Sequence, residues 1–174
     1  MPTSVYQTLI VALVLSRLDY GNAVLGGLPG YLYSRLQSVL NAAARSIAGL
    51  RRSDHITDTL ASFHWLRAPE RVQFKLATIV YRSLNGTAPS YLAADLRRLS
   101  DMPSRRCLRS SLTHQLDVPQ LQCVTVGDRA FAVAGAWLWN SLPVDIVASN
   151  TLSQFCRQLK TFLFRQSYPS VLLS

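Results

Sequence analysis

Pro69-Glu70-Arg71-Val72-Gln73-Phe74-Lys75-Leu76-Ala77-Thr78-Ile79-Val80-Tyr81-Arg82-Ser83-Leu84-Asn85-Gly86 is the stretch on which the fold of this 174-residue chain turns. Pro69 suits a first helical turn, where its missing N–H costs nothing, and Asn85-Gly86 is a stop. Val72, Leu76, Ile79 and Val80, with Phe74, Ala77 and Tyr81, cover a wide apolar arc, which predicts a central helix with neighbours on several sides. The remaining stripe is Arg71, Lys75, Thr78 and Arg82, at offsets of 4, 7 and 11. Those offsets put three cations on one line along the helix.

Other helices are predicted around it. Residues 4–20 are apolar nearly all round, so that helix is expected to be buried on more than one side, until Gly26-Gly27-Leu28-Pro29-Gly30 breaks the chain. A helix over 31–48 has Leu32, Leu36, Val39, Ala43 and Ile47 on its inner face, with Gly49 as its left-handed cap. Thr57 can N-cap a short helix through Phe63, and His64 is expected in the core between Phe63 and Trp65. Pro89 opens another short helix, with Tyr91, Leu92 and Leu96 facing in. Asp128 is expected to N-cap a helix reaching Trp139. Thr151 should N-cap the last helix, to about Gln166, with Leu152, Phe155, Leu159, Phe162 and Leu163 inward. The class is mainly α, about seven helices in two small lobes, residues 1–104 and 105–174, with one short β-hairpin near residues 112–126.

Composition narrows the function without naming it. Hydrophobic residues make up 49% and charged residues 16%, and a chain of this length buries roughly 70% of its unfolded surface, so it can fold without disulfides or metal. There are 18 Lys+Arg against 9 Asp+Glu, a net charge of +9; 16 of the cations are Arg and Glu70 is the only Glu. The excess is concentrated: +2 over residues 1–50, +6 over 51–110 and +1 over 111–174. Arg97, Arg98, Arg105, Arg106 and Arg109 extend the cationic stripe into a Ser/Pro/Arg-rich segment. Such density favours a polyanion partner, although a merely solvated face would have the same composition.

The enzyme classes are poorly served. No Asp-Asp dipeptide exists, and a two-metal site needs carboxylates brought together to hold Mg²⁺. Cys107, His114 and Cys123 lack the paired spacing of a structural zinc site. The glycines at 26, 27 and 30 lack the Lys-Ser/Thr of a phosphate loop. No cofactor or metal is expected. The run Leu9–Leu15 is far shorter than the ~20 residues of a membrane span and has no positive n-region before it, so neither membrane insertion nor a signal peptide is expected. Three cysteines without a Cys-x-x-Cys pair fit a reducing compartment, hence an intracellular location, nuclear or cytoplasmic.

Several stretches in order resemble the C-terminal region of reverse transcriptases from non-LTR retrotransposons (long interspersed elements) of the jockey and chicken-repeat type. They include Leu15-Ser16-Arg17-Leu18-Asp19-Tyr20, Gly27-Leu28-Pro29, Leu36 to Arg45, Asp54-His55-Ile56-Thr57, His64-Trp65-Leu66, Glu70 to Lys75 and Leu84 to Leu92. Leu108-Arg109-Ser110-Ser111, Gly127 to Phe131, Leu138-Trp139-Asn140-Ser141-Leu142-Pro143 and Leu159 to Phe164 complete the series. This chain departs from the pattern at Gly21, at Arg67 and at the neutral Gln120-Leu121-Gln122.

The resemblance implies the part of the polymerase that follows the catalytic palm. Residues 1–104 would correspond to the thumb and 105–174 to a C-terminal extension. The expected product is a truncated fragment of an RNA-directed DNA polymerase that is not an enzyme by itself and holds the backbone of RNA or an RNA–DNA hybrid. Carried over by position, Arg71, Lys75 and Arg109 would contact phosphates; Arg82, Arg97, Arg98, Arg105 and Arg106 join them on charge alone. The partners would be that nucleic acid and an upstream palm domain, with self-association through an exposed apolar surface near the N-terminal helix. The alternative is a helical interaction module, or an inert remnant, with no nucleic-acid role.

Overall fold

A computed structural model describes residues 3–102, 114–120, 127 and 129–169. The helices are α1 (Thr3–Ile10), α2 (Ser16–Asp19), α3 (Gly30–Ala48), α4 (Thr57–Ser62), α5 (Ala68–Leu84), α6 (Ser90–Ala94), α7 (Phe131–Ser141), α8 (Val144–Val147) and α9 (Leu152–Ser167). A wider π turn over Val11–Leu15 joins α1 to α2, and short 3₁₀ turns cover Asn22–Leu25 and Leu99–Asp101. The mainly α class holds. Among the described residues there is no strand, only an antiparallel bridge between Arg98 and Leu116. Most of the expected hairpin over 112–126 lies outside the described residues. Its described part, 114–120, runs extended and pairs elsewhere: Leu99 N–H donates to the Gln115 carbonyl at 3.0 Å and Asp117 N–H to that of Arg97 at 2.8 Å.

The chain forms two compact units, and they are not the segments divided at residue 105. One comprises residues 1–22, 28–72 and 161–174; the other comprises 23–27 and 73–160. The chain changes unit between Val72 and Gln73 in α5 and between Lys160 and Thr161 in α9. A composition shift such as that near residue 105 says nothing about which distant helices pack together.

In the first unit Leu15, Leu40, Ala43, Ala44, Ile47, Leu60, Ala61, Trp65 and Tyr168 form the core, with Ile10, Val14 and Leu18 packed against it. Those last three are four residues apart, a spacing that drifts about 40° per step in regular α geometry; the π turn between them relieves the drift. The all-round burial expected for residues 4–20 is not found: Val5, Leu9, Val11 and Leu13 are exposed. On α3 Ala43 and Ile47 are buried as expected, but Leu40 is buried in place of Val39, which is 47% exposed. Gly49 caps α3 at φ 66°, as expected. Thr57 is not a cap; Ile56 holds that place with no side-chain bond. His64 is exposed rather than core, at a φ of +54°, its ring 5.9 Å from that of Phe164. The turn it makes aims Trp65 and Leu66 inward instead.

The second unit is organised by aromatic rings and one asparagine. Tyr81 stacks on Phe155 at 4.4 Å between centroids, and Trp139 lies 5.9 Å from Phe155. The polar edges of these rings are satisfied: Tyr81 Oη donates to the Ser149 carbonyl at 2.9 Å and Trp139 Nε1 to that of His114 at 2.8 Å. Asn140 brackets the Leu116 backbone, accepting from its N–H and donating to its carbonyl, each at 2.9 Å. The Trp139-Asn140 pair thus ties α7 to an extended segment. Thr151 Oγ1 accepts from Gln154 N–H, so it caps α9 as expected, and Phe155 and Leu159 are buried while Leu152 is exposed; Leu163, in the first unit, is buried as well. Tyr91, expected inside, is 68% exposed; Leu96 is buried. The Asp128 cap lies outside the described residues.

Candidate nucleic-acid interface

The predicted cationic line along α5 is only partly available. Arg71 is half-buried and donates from Nε to Asp19 Oδ1 at 3.0 Å and from Nη2 to Asp19 Oδ2 at 2.6 Å. This two-pronged pair, with Asn22 Nδ2 on the same carboxylate at 3.0 Å, makes Arg71 a strut between the start of α5 and the end of α2. It therefore leaves the line of free cations. Two others guard the end of α5. Arg82 is exposed but donates to the Thr87 carbonyl, and half-buried Arg98 donates to the Leu84 carbonyl, each at 3.2 Å. The last turn of a helix exposes carbonyls and negative potential, so both guanidinium groups are favourably placed there whatever else they do. The side chains of Lys75 and Arg97 are exposed, with no partner among the described residues. Arg105, Arg106 and Arg109 lie outside the described residues.

In the second unit α5 meets α9 in a way that brings in cations the sequence reasoning passed over. Tyr81 lies on Phe155, and Thr78 Oγ1 is 4.0 Å from Cys156 Sγ, so residues ascend on one helix as they descend on the other. Continuing that register sets Lys75 opposite Lys160. Thr78 shares its line on α5 with Lys75 and Arg82, and Cys156 shares its line on α9 with Lys160. Lys75, Arg82 and Lys160 thus lie on one side of the helix pair, all three exposed, with exposed Arg157 on the adjoining turn. From Arg71 to the end of α5, and throughout α9, no carboxylate occurs. That absence was the signal available in the sequence for Arg157 and Lys160, since a cationic helix face without acids cannot neutralise itself.

Among the described residues no group of three or more His, Cys, Asp and Glu could hold a metal, and no helix is long and apolar enough to cross a membrane. Cys156 is a free thiol; of the weighed zinc ligands only His114 is among the described residues, Cys107 and Cys123 lying outside them. No protein-family model matches this chain, no curated protein matches it, and no solved structure matches it.

Proposed function

We propose that this chain is a non-catalytic, nucleic-acid-binding segment, corresponding to the post-palm thumb and extension of a non-LTR retrotransposon reverse transcriptase, that holds the backbone of RNA or an RNA–DNA hybrid. What supports this reading is the acid-free run of α5 and α9, whose register sets exposed Lys75, Arg82 and Lys160 on one side. Lysine and arginine on such a face engage phosphates without reading bases, which suits a part that grips template and primer of any sequence. Arg97 extends the contact, and Arg105, Arg106 and Arg109 would add to it. Arg71 has no part in it, being held by Asp19.

Fluorescence anisotropy of a labelled RNA–DNA hybrid over a series of salt concentrations tests the proposal. Log K should fall linearly with log salt, by roughly 0.7–0.9 per phosphate neutralised, and the Lys75→Ala/Lys160→Ala double variant should reduce the slope by about two such increments. A flat dependence refutes it and favours the interaction-module alternative, which the exposed Val5, Leu9 and Leu13 of the first unit support. Mg²⁺-dependent primer extension by this chain alone is expected to be absent.

A further inference from the structure

Between the end of α5, the extended segment at His114 and the turn after α8 lies a cleft of about 240 Å³, wholly within the second unit. Pockets that take drug-sized ligands run to roughly 300–1,000 Å³, so this one suits a single ring system. Its floor is carbon. Tyr81 and Trp139 line it, and the polar atoms of both rings are spent: Tyr81 Oη donates to the Ser149 carbonyl and Trp139 Nε1 to that of His114. Unused polar atoms surround this floor. Asn85 Nδ2 donates to the Tyr81 carbonyl at 2.8 Å, which leaves Oδ1 as an acceptor with no partner among the described residues. The exposed amide of Asn150 and the exposed imidazole of His114 also line the cleft, and neither has a partner among the described residues. Arg98 Nη2 donates to the Leu84 carbonyl at 3.2 Å, which anchors the half-buried guanidinium at the wall.

These groups select by chemistry. Among the described residues no carboxylate lines the cleft, so a cation finds no counter-charge there. A phosphate is poorly served too, since the single guanidinium is shared with a carbonyl at the negative end of α5. Amides and an imidazole offer donors and acceptors together without net charge, which is what the edge of a nucleobase requires. The carbon floor suits the apolar faces of such a ring, and a guanidinium plane stacks on flat rings. The place of the cleft agrees with the cationic face. Asn85 N–H still bonds the Tyr81 carbonyl, so the helical turn carries through Asn85. Arg82 precedes it by three residues, which sets the two on neighbouring lines along the same side of the helix.

We infer that this cleft receives one unpaired nucleobase of a bound strand, met at its edge by Asn85 and Asn150 and over its face by Arg98. A strand whose phosphates follow Lys75 and Arg82 arrives at the cleft where α5 ends. As part of a strand the base rests on the backbone-holding role proposed for α5 and α9; recognition of the ring itself does not.

Fluorescence anisotropy of the full chain with a single-stranded RNA octamer, and with an abasic octamer of the same number of phosphates, provides the test. The base-bearing octamer should bind about tenfold more tightly, with the same salt slope, since one base held by a protein is worth about that factor. Asn150→Ala should cut this preference about threefold and Asn85→Ala/Asn150→Ala should remove it, leaving the abasic affinity unchanged; Lys75→Ala/Lys160→Ala should weaken both octamers alike. Asn150 is exposed and its side chain has no partner among the described residues, so Asn150→Ala keeps the fold, which an unchanged Tm verifies. Equal affinity for the two octamers overturns the proposal, as does a preference that persists in the double asparagine variant; in both cases salt-dependent binding of the RNA–DNA hybrid leaves the role of α5 and α9 standing. Should the chain bind neither octamer, titration with the four free nucleosides decides, read at the Trp139 indole N–H signal. A saturable shift that the double asparagine variant lacks upholds the cleft as a nucleoside site and removes only the role of α5 and α9. No saturable shift with any nucleoside overturns the cleft as well.

Discussion

Replacing Arg71 separates a structural cation from a binding one. Its side chain is 17% exposed and that of its partner Asp19 44%, so the pair lies between a solvated surface bridge and a buried one. Exposed pairs contribute about 0–1 kcal/mol, while removing one member of a fully buried pair costs about 3–5 kcal/mol. The two-pronged geometry favours the upper part of the intervening range, and partial solvation of Asp19 tempers it. Arg71→Ala should therefore cost about 2 kcal/mol, of which about 1–1.5 kcal/mol should emerge as coupling in a cycle with Asp19→Ala. At roughly 2–4 °C per kcal/mol for a chain of this size, Tm should fall by about 4–8 °C. Urea denaturation of the wild type, both single variants and the double variant measures the coupling. The same Arg71→Ala protein, assayed against the RNA–DNA hybrid at a temperature where it is folded, should keep the wild-type salt slope, whereas the slope of Lys75→Ala should be shallower by about 0.7–0.9. Coupling below about 0.3 kcal/mol, or a slope reduced in Arg71→Ala as in Lys75→Ala, would refute the assignment of Arg71 as a strut.

Three further outcomes follow from particular contacts. Gly135→Ala places a Cβ 2.9 Å from Cγ2 of fully buried Val80; a stiff β-branched neighbour cannot yield, so a loss of about 1–3 kcal/mol is expected despite better helix propensity, and thermal denaturation checks it. Tyr168 is fully buried, its hydroxyl donating to the Trp65 carbonyl at 2.7 Å; burial raises its pKa above the ordinary 10.0, with the Arg67 guanidinium 5.2 Å above the ring pulling the other way. The folded state then holds this proton more tightly than the unfolded chain, so its stabilisation is complete below about pH 10 and is lost as pH rises through the native pKa. Tyr168→Phe should flatten that alkaline loss in denaturation curves taken across pH 9–12. Finally, Val5, Leu9 and Leu13, 48%, 45% and 61% exposed, recur every fourth residue through α1 and the π turn. Leu9→Lys/Leu13→Lys should reduce concentration-dependent association in sedimentation runs, and a wild-type chain that stays monomeric at high concentration would remove the basis for that expectation.

Helix positions were legible along the chain because the signals are local. A proline at the first turn, a glycine able to take positive φ and apolar residues three and four apart act within a few residues, and they located α3, α5 and α9 closely. Which residue on a helix is innermost was less legible. A rotation of 100° exchanges Val39 for Leu40, and only the neighbours at Leu15, Leu60 and Trp65 decide between them. His64 was misplaced for a related reason: its flanking aromatics announced a core, but the turn it makes sends Trp65 in and the imidazole out.

Charge was legible as an inventory and illegible as an arrangement. A basic, mainly helical chain whose cations crowd the middle third could be read from the residues alone, as could the acid-free stretch of α9. Which guanidinium groups stay unpaired depends on the packing of distant helices. Arg71 meets an aspartate 52 residues away and Arg98 a carbonyl 14 residues away, while the contacts of Tyr81 with Phe155 and of Thr78 with Cys156 set the register that puts Lys75 opposite Lys160. Ion pairing depends on distances of a few ångströms between residues far apart in the chain, and neither periodicity nor composition constrains such distances. The hydrogen-bond relay from Ala68 through Gln37 to Asn41 has the same origin, since it exists only once α5 begins beside α3.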